Sequence, residues 1–292
     1  MFTGAMVALI TPFQDGEIDF RTLDELIDFQ LENNIDAIVP VGTTGESPTL
    51  SHDEHKKVIE RVVKSVAGNV PVIAGAGSNS TAEAIELTAF SKKVGADATL
   101  QVCPYYNKPT QEGFYQHFKA IAEEVDLPMV LYNIPGRCGG TGLTPETVAR
   151  MADEIENVVA IKEASGSLDM ASEIATRSDI TIISGDDSLT LPIASVGGKG
   201  VISVVANIVP TDVKAMTDLI LEGDFASALK WHKKLFALCK NLLGLASNPI
   251  PIKAAMAMLN MASEELRLPL TPLDETKKDI LRQTLKTYGL LS

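Results

Sequence analysis

The sequence is short of basic residues, of cysteine and of long apolar runs, and each shortage closes off a class of function. Lys and Arg number 25 against 38 Asp and Glu, a formal net charge of -13. Nucleic acid and anionic membrane surfaces need clustered cations, so neither partner is expected, and an anionic substrate requires local help from an arginine or lysine. The three cysteines, Cys103, Cys138 and Cys239, are far apart and make neither a zinc nor a redox motif. No disulfide is expected, and a reducing cytoplasm is the natural compartment. No apolar run approaches the roughly 18 residues that cross a bilayer. Met1-Phe2-Thr3-Gly4 runs into an apolar strand without the basic region and cleavage site of a secretory signal. The expectation is a cytoplasmic protein without linkers or low-complexity segments.

What is present is a repeated alternation of strand and helix. Short apolar stretches at 5–11, 37–41, 71–76, 98–104, 128–133, 158–163, 180–184 and 200–205 read as buried parallel strands. Amphipathic segments between them read as helices, with start signals at Ser51-His52-Asp53-Glu54, Ser80-Thr81-Ala82-Glu83 and Thr144-Pro145-Glu146. Eight such units in a chain of this length predict a (β/α)8 TIM barrel over 1–222 that carries the active site. From about residue 210 the pattern is helical only, with segments at 211–222, 225–243, 252–260 and 276–288. The first would close the barrel, and 223–292 would form a C-terminal helical appendage on the barrel or on another subunit.

The stretch Val158-Val159-Ala160-Ile161-Lys162-Glu163-Ala164 puts a lysine inside a buried strand. Alternation places Ala160, Lys162 and Ala164 on one face and Val159, Ile161 and Glu163 on the other. Small neighbours leave room for a molecule beside the amine. An apolar setting disfavours the ammonium form, and a neutral amine attacks ketones to form Schiff bases. The plain alternative is a strand-end lysine that reaches back to solvent.

Barrel active sites lie at the carboxyl ends of the strands. Thr43 and Thr44, Tyr105 and Tyr106, Tyr132-Asn133, Lys162-Glu163 and Gly185-Asp186-Asp187 all fall there. A phenol and a hydroxyl near a nucleophilic lysine suit proton relay, and Arg137 in its glycine-rich segment suits bidentate binding of a carboxylate. Gly75-Ala76-Gly77 lacks the third glycine of a dinucleotide fingerprint and reads as a tight turn. His52 and His55 lack a third metal ligand, so no metal site is expected, and by themselves they read as a solvated helix face.

With Gly42-Thr43-Thr44-Gly45-Glu46, Tyr132-Asn133-Ile134-Pro135-Gly136-Arg137 and Ile161-Lys162-Glu163-Ala164 placed, the chain resembles the dihydrodipicolinate synthase family. That family belongs to the lysine-dependent N-acetylneuraminate lyase superfamily. The likeness extends to Met1-Phe2-Thr3-Gly4, Pro104-Tyr105-Tyr106-Asn107 and Asn248-Pro249-Ile250-Pro251, so it covers essentially the whole chain. The resemblance implies that Lys162 forms a Schiff base with pyruvate, with no other cofactor, and that the enamine attacks L-aspartate 4-semialdehyde in the first committed step of diaminopimelate and lysine synthesis. It implies that Tyr132 gives and takes protons, linked through Thr43 to Tyr106 of a neighbouring subunit. It implies pyruvate contacts from Thr44 and Ile202, a place at the substrate pocket for Gly185, and a grip on the semialdehyde carboxylate by Arg137. A homotetramer built as a dimer of dimers is the implied assembly.

The resemblance also implies an L-lysine feedback site lined by Ser47, His52, His55, Asn79, Glu83 and Tyr105. Pro48 departs from the small residue expected beside it, and Cys138-Gly139-Gly140-Thr141-Gly142 is longer than the family's usual Thr-Gly segment. The nearest alternative is another pyruvate-lysine aldolase, such as N-acetylneuraminate lyase or a 2-keto-3-deoxy sugar-acid aldolase. Arg137 with Tyr106 suits a short amino-aldehyde acid better than a polyhydroxy chain. A non-catalytic lysine sensor would have lost Lys162 or Tyr132. A phosphate-binding isomerase would carry its glycine-rich loop after strands seven and eight, whereas Gly197-Gly198-Lys199-Gly200 precedes strand eight.

Overall fold

The computed structural model describes residues 2–292. Its eight parallel strands are β1 (Gly4–Ala8), β2 (Ala37–Val39), β3 (Ile73–Gly75), β4 (Ala98–Val102), β5 (Met129–Asn133), β6 (Val158–Glu163), β7 (Thr181–Ser184) and β8 (Gly200–Ser203). Hydrogen-bonded neighbours run β2-β1-β8-β7-β6-β5-β4-β3, and a bridge between Ile38 and Val72 joins β2 to β3 and closes the ring. The architecture is a (β/α)8 barrel.

Helices alternate with the strands: α1 (Phe20–Glu32), α2 (His52–Val66), α3 (Thr81–Val94), α4 (Gln111–Glu124), α5 (Pro145–Glu154), α6 (Leu168–Arg177), α7 (Thr190–Ala194) and α8 (Pro210–Leu221). Their starts follow the local chemistry. Ser51 and Glu54 form a reciprocal capping box, while the Ser80 and Thr144 side chains accept from the third residue of their helices.

The barrel interior is a layer of small and branched side chains that includes Met6, Val39, Leu100, Val130, Ala160, Ile183 and Ile202. The opposite faces of the strands pack on the helices, with Ile161 and Ile182 in one outer cluster and Val7 and Val201 in another. Three further helices follow: α9 (Phe225–Gly244), α10 (Ile250–Met258) and α11 (Glu275–Tyr288). Leu235, Leu242, Ile252, Met256 and Leu285 from these helices join the cluster that holds Val7, Ile27 and Ile38. The appendage therefore packs on its own barrel.

Several boundaries differ from the pattern. The apolar run 5–11 pairs only as Gly4–Ala8, and 200–205 only as Gly200–Ser203. Ile10, Val204 and Val205 are buried but lie beyond the ladder, and Leu9 keeps only its N–H bond to the Val39 carbonyl, because apolar character reports burial rather than strand pairing. The Asp15-Gly16 turn is the tip of a small hairpin, Phe13–Gln14 against Glu17–Ile18. Both turn residues have positive φ, 55° and 85°, as the favoured two-residue hairpin turn requires.

Candidate active site

β5 and β6 supply the centre of the site. Their register pairs Tyr132 with Lys162 and Asn133 with Glu163, and alternation sends the first pair inward and the second outward. Lys162 is 6% exposed, which overturns the reading of it as a solvated strand-end lysine. Its Nζ stands 4.2 Å from the centre of the Tyr132 ring. Gly185 begins the turn after β7. A Cβ there would lie 3.0 Å from the Lys162 Cε and 2.6 Å from the Ala164 Cβ, so only glycine leaves the lysine its space.

The outward pair locks this arrangement. Asn133 Nδ2 donates to Glu163 Oε2 at 2.8 Å, and Ser165 N donates to Oε1 at 2.6 Å. Burial pushes the Glu163 carboxyl above its ordinary range. Asn133 Oδ1 also accepts Leu143 N at 3.0 Å, which anchors the far end of the loop that carries Arg137.

Above the lysine opens a chamber of about 680 Å³, lined by Thr43, Thr44, Tyr132, Arg137, Lys162 and Gly185 together with Asp186, Val204 and residues 243–244 and 246–248. This volume suits a ligand of small-metabolite size. Six of the residues singled out in the sequence therefore converge. Ile202 does not reach the chamber wall; it is buried in the inner layer. Tyr106 does not line its own chain's chamber and is 89% exposed, on backbone with φ of 72°.

The end of α9 and the segment before α10 form one wall of the chamber, a contribution the sequence did not disclose. Asn248 Nδ2 donates to Thr44 Oγ1 at 3.0 Å. Arg137 Nη2 donates to the Asn248 carbonyl at 3.2 Å and meets Ser247 Oγ at 3.5 Å. Arg137 is exposed, yet its guanidinium is held at the chamber mouth. The long Cys138–Gly142 segment is compact: the Cys138 thiol turns inward and donates to the Cys103 carbonyl at 3.2 Å, and Thr141 Oγ1 caps the Cys138 carbonyl at 2.6 Å. Asp187, buried beneath the turn after β7, accepts from Ser203 Oγ and from Val204 N at 2.9 Å. Burial raises its carboxyl to about 6.

A second chamber of about 290 Å³ shares Thr43, Tyr132 and Arg137 with the first and is also lined by Ser47, Pro48, Tyr105 and Cys138. The other four residues of the expected feedback site, His52, His55, Asn79 and Glu83, do not line it. Asn79 Nδ2 donates to the Tyr105 carbonyl at 3.2 Å, and Glu83 accepts from Ser78 Oγ at 2.7 Å. His52 is exposed at the start of α2. His55 corrects the solvated-face reading, since it is buried with Nε2 2.7 Å from the Gly75 carbonyl. It opens the inward stripe continued by Val58, Ile59 and Val62, and burial lowers its pKa.

Residues 1–288 match the model of the dihydrodipicolinate synthetase family. The chain belongs to that family. It is 54% identical to the 4-hydroxy-tetrahydrodipicolinate synthase of Methanocaldococcus jannaschii over the full length of both chains. Among solved structures it is similar to the chloride-inhibited dihydrodipicolinate synthase from Acinetobacter baumannii complexed with pyruvate. That likeness has TM-score 0.96 and 43% identity, and covers 100% of both chains. It is also similar to the Cyanidioschyzon merolae enzyme with lysine bound, with TM-score 0.95 and 44% identity over 99% of each chain. Agreement of this extent favours the synthase over the sugar-acid aldolases.

Proposed function

We propose that this chain condenses pyruvate with L-aspartate 4-semialdehyde to give 4-hydroxy-tetrahydrodipicolinate, the first committed step of diaminopimelate and lysine synthesis. The observation that carries the reading is Lys162, a buried amine against the Tyr132 ring at the base of a chamber with Arg137 at its mouth. The amine adds to the pyruvate ketone, and loss of water gives a Schiff base. Its cationic nitrogen acidifies the pyruvate methyl, so loss of a proton yields an enamine. The enamine carbon attacks the aldehyde carbon, forming the new C–C bond. The amino group of the second substrate then adds to the imine carbon, closes the ring and releases Lys162.

Each step moves a proton at the lysine, the methyl or the new alkoxide, and Tyr132 carries it, a role supported by the nearness of its ring to the amine. Thr43 connects it to Tyr106 of a neighbouring subunit, for which the outward exposure of Tyr106 is the support. The relay therefore needs at least a dimer, and the homotetramer that the family resemblance implies would supply the neighbour. Thr44 orients the keto acid carboxylate and Arg137 takes the semialdehyde carboxylate, while Ile202 only fills the inner barrel layer. No separate cofactor enters, because the iminium itself is the electron sink. A reducing cytoplasm suits the three free, buried thiols, and among the described residues no helix is long and apolar enough to cross a membrane.

Incubation with pyruvate, borohydride reduction and peptide mass spectrometry tests the reading. A pyruvate-derived adduct on Lys162 is expected; folded protein without one would end it.

L-lysine as a feedback ligand is a second element of the proposal. It is favoured by the chamber that Ser47 and Tyr105 share with Tyr132 and by the lysine-bound relative. Undiminished turnover in millimolar L-lysine would remove it.

A further inference from the structure

Glu46 and Lys253 form an ion pair in which both side chains are 0% exposed. Removing two charges from water is costly, and apolar residues of similar volume often give equal or greater stability. The pair therefore calls for a reason other than stability, and its surroundings supply one. Glu46 ends the Gly42-Thr43-Thr44-Gly45-Glu46 turn with φ of 55°, a left-handed conformation that a non-glycine residue keeps only where its neighbours hold it. Its Oε2 accepts Arg267 N at 3.1 Å. Lys253 Nζ also donates to the Glu265 carbonyl at 2.9 Å and lies 4.1 Å over the Phe13 ring. Four segments distant in sequence meet at this one contact.

The same two stretches of chain meet again at the chamber. Lys253 lies in the first turns of α10, its N–H donating to the Pro249 carbonyl at 3.1 Å. Just before that helix, Asn248 donates to Thr44 Oγ1, and its carbonyl holds Arg137. The turn and the 248–253 stretch are thus fastened twice, once in the core and once at the chamber wall. An apolar pair in the core would let α10 slide along the turn. A charged pair at contact distance, with one further hydrogen bond from Lys253 to the Glu265 carbonyl and one from Arg267 N to Glu46, tolerates far less displacement.

The geometry points to the Glu46–Lys253 pair as a positioning device for the substrate chamber: it fixes α10 against the Gly42–Glu46 turn and thereby places Thr44 and, through the Asn248 carbonyl, the Arg137 guanidinium. The inference rests on the roles proposed above for Thr44 and Arg137. Neither Glu46 nor Lys253 touches substrate; they act through residues that do.

The test is the double variant Glu46→Gln/Lys253→Met, which removes both charges together and leaves an amide oxygen for the Arg267 N–H. It is compared with wild type by steady-state kinetics, borohydride trapping, thermal melting and hydrogen exchange. Because no charge is left unpaired, folding and the pyruvate adduct at Lys162 are expected to persist. KM for L-aspartate 4-semialdehyde is expected to rise about 10- to 100-fold, the scale of a misplacement of about 1 Å. Saturated kcat should change far less, and amides in 43–48 and 245–250 should exchange faster. A double variant with wild-type KM, or with unchanged exchange in both segments, overturns the inference. If that variant does not fold, Lys253→Arg decides: it keeps the charge but shifts its point of contact, and a wild-type KM there overturns the inference equally. Wild-type protein inactive toward both substrates would overturn the proposed reaction instead, and the exchange comparison alone would then judge the pair.

Discussion

Tyr132 and Lys162 are register partners on adjacent parallel strands, with the lysine amine 4.2 Å from the tyrosine ring centre. Their separation is set by the barrel's hydrogen-bond ladder and not by a loop, so substrate binding has little to organise. Removing the phenol alone leaves this packing intact. Tyr132→Phe is therefore expected to retain wild-type melting while kcat falls by about 10²- to 10⁴-fold, the range for loss of a positioned proton carrier. Steady-state kinetics beside a melting curve checks it.

The next register pair makes a prediction about stability. Glu163 accepts from Asn133 and Ser165 on the outer face of the strands that present Tyr132 and Lys162. Glu163→Ala leaves the buried Asn133 amide and the half-buried Ser165 N–H without their acceptor. A loss of about 2–5 kcal/mol is expected, measured by urea unfolding, with turnover falling as the strand ends loosen.

Tyr106 predicts the opposite combination. At 89% exposure, its hydroxyl contributes nothing to the folding of its own chain, yet the proposed relay needs it in a neighbour's site. Tyr106→Phe is expected to leave melting unchanged and to cut turnover at least about tenfold. Wild-type turnover would remove Tyr106 from the relay.

How much of this could be read without coordinates depends on the range of the interactions. β6 spans Val158–Glu163 as its sequence predicts, because both faces of that strand are filled and Ser165-Gly166 ends it. The capping box at Ser51 and Glu54 is local and was equally visible. The bond from Asn248 to Thr44 spans 204 positions, and nothing near either residue announces the other. The fully buried Lys253 is the single charged residue of the apolar helix Ile250–Met258, yet nothing near it in sequence names Glu46 as its partner. His55 was misread for a related reason: a single polar residue at the head of an apolar stripe is buried or exposed according to what packs over it, here the Gly75 carbonyl of β3. The strand ends pointed to Arg137 and Tyr106 with ordinary alternatives beside them, and family likeness gave their roles and the feedback residues.

Asp187 gives a pH dependence of defined sign. Burial raises its carboxyl from 3.8 to about 6, so between those values the folded chain holds more protons than the unfolded one. Stability from this group is fully present below about pH 4 and is lost as pH rises through 6, by up to about 3 kcal/mol. Asp187→Asn lacks the titration. The stability of the variant relative to wild type should therefore rise by that amount from pH 4 to pH 7 in denaturant unfolding at each pH. Glu54 runs the other way, held at about 2 by its hydrogen bonds from Arg267, and because both proteins share it, it cancels in the difference.

Arg137 distinguishes charge from shape. Its Nη2 is engaged by the Asn248 carbonyl, which orients the guanidinium plane and leaves other N–H groups for a substrate carboxylate. A lysine at this position would keep the positive charge, but its single ammonium cannot bond Asn248 and grip two carboxylate oxygens in a plane. Arg137→Lys is therefore expected to raise KM for the semialdehyde about 10- to 100-fold, the cost of losing one or two charge-assisted hydrogen bonds. Formation of the pyruvate adduct at Lys162 should be unaffected, since pyruvate reacts deeper in the chamber. A matching rise in KM for both substrates would instead mean that Arg137 shapes the whole chamber, and its assignment to the second substrate would fall.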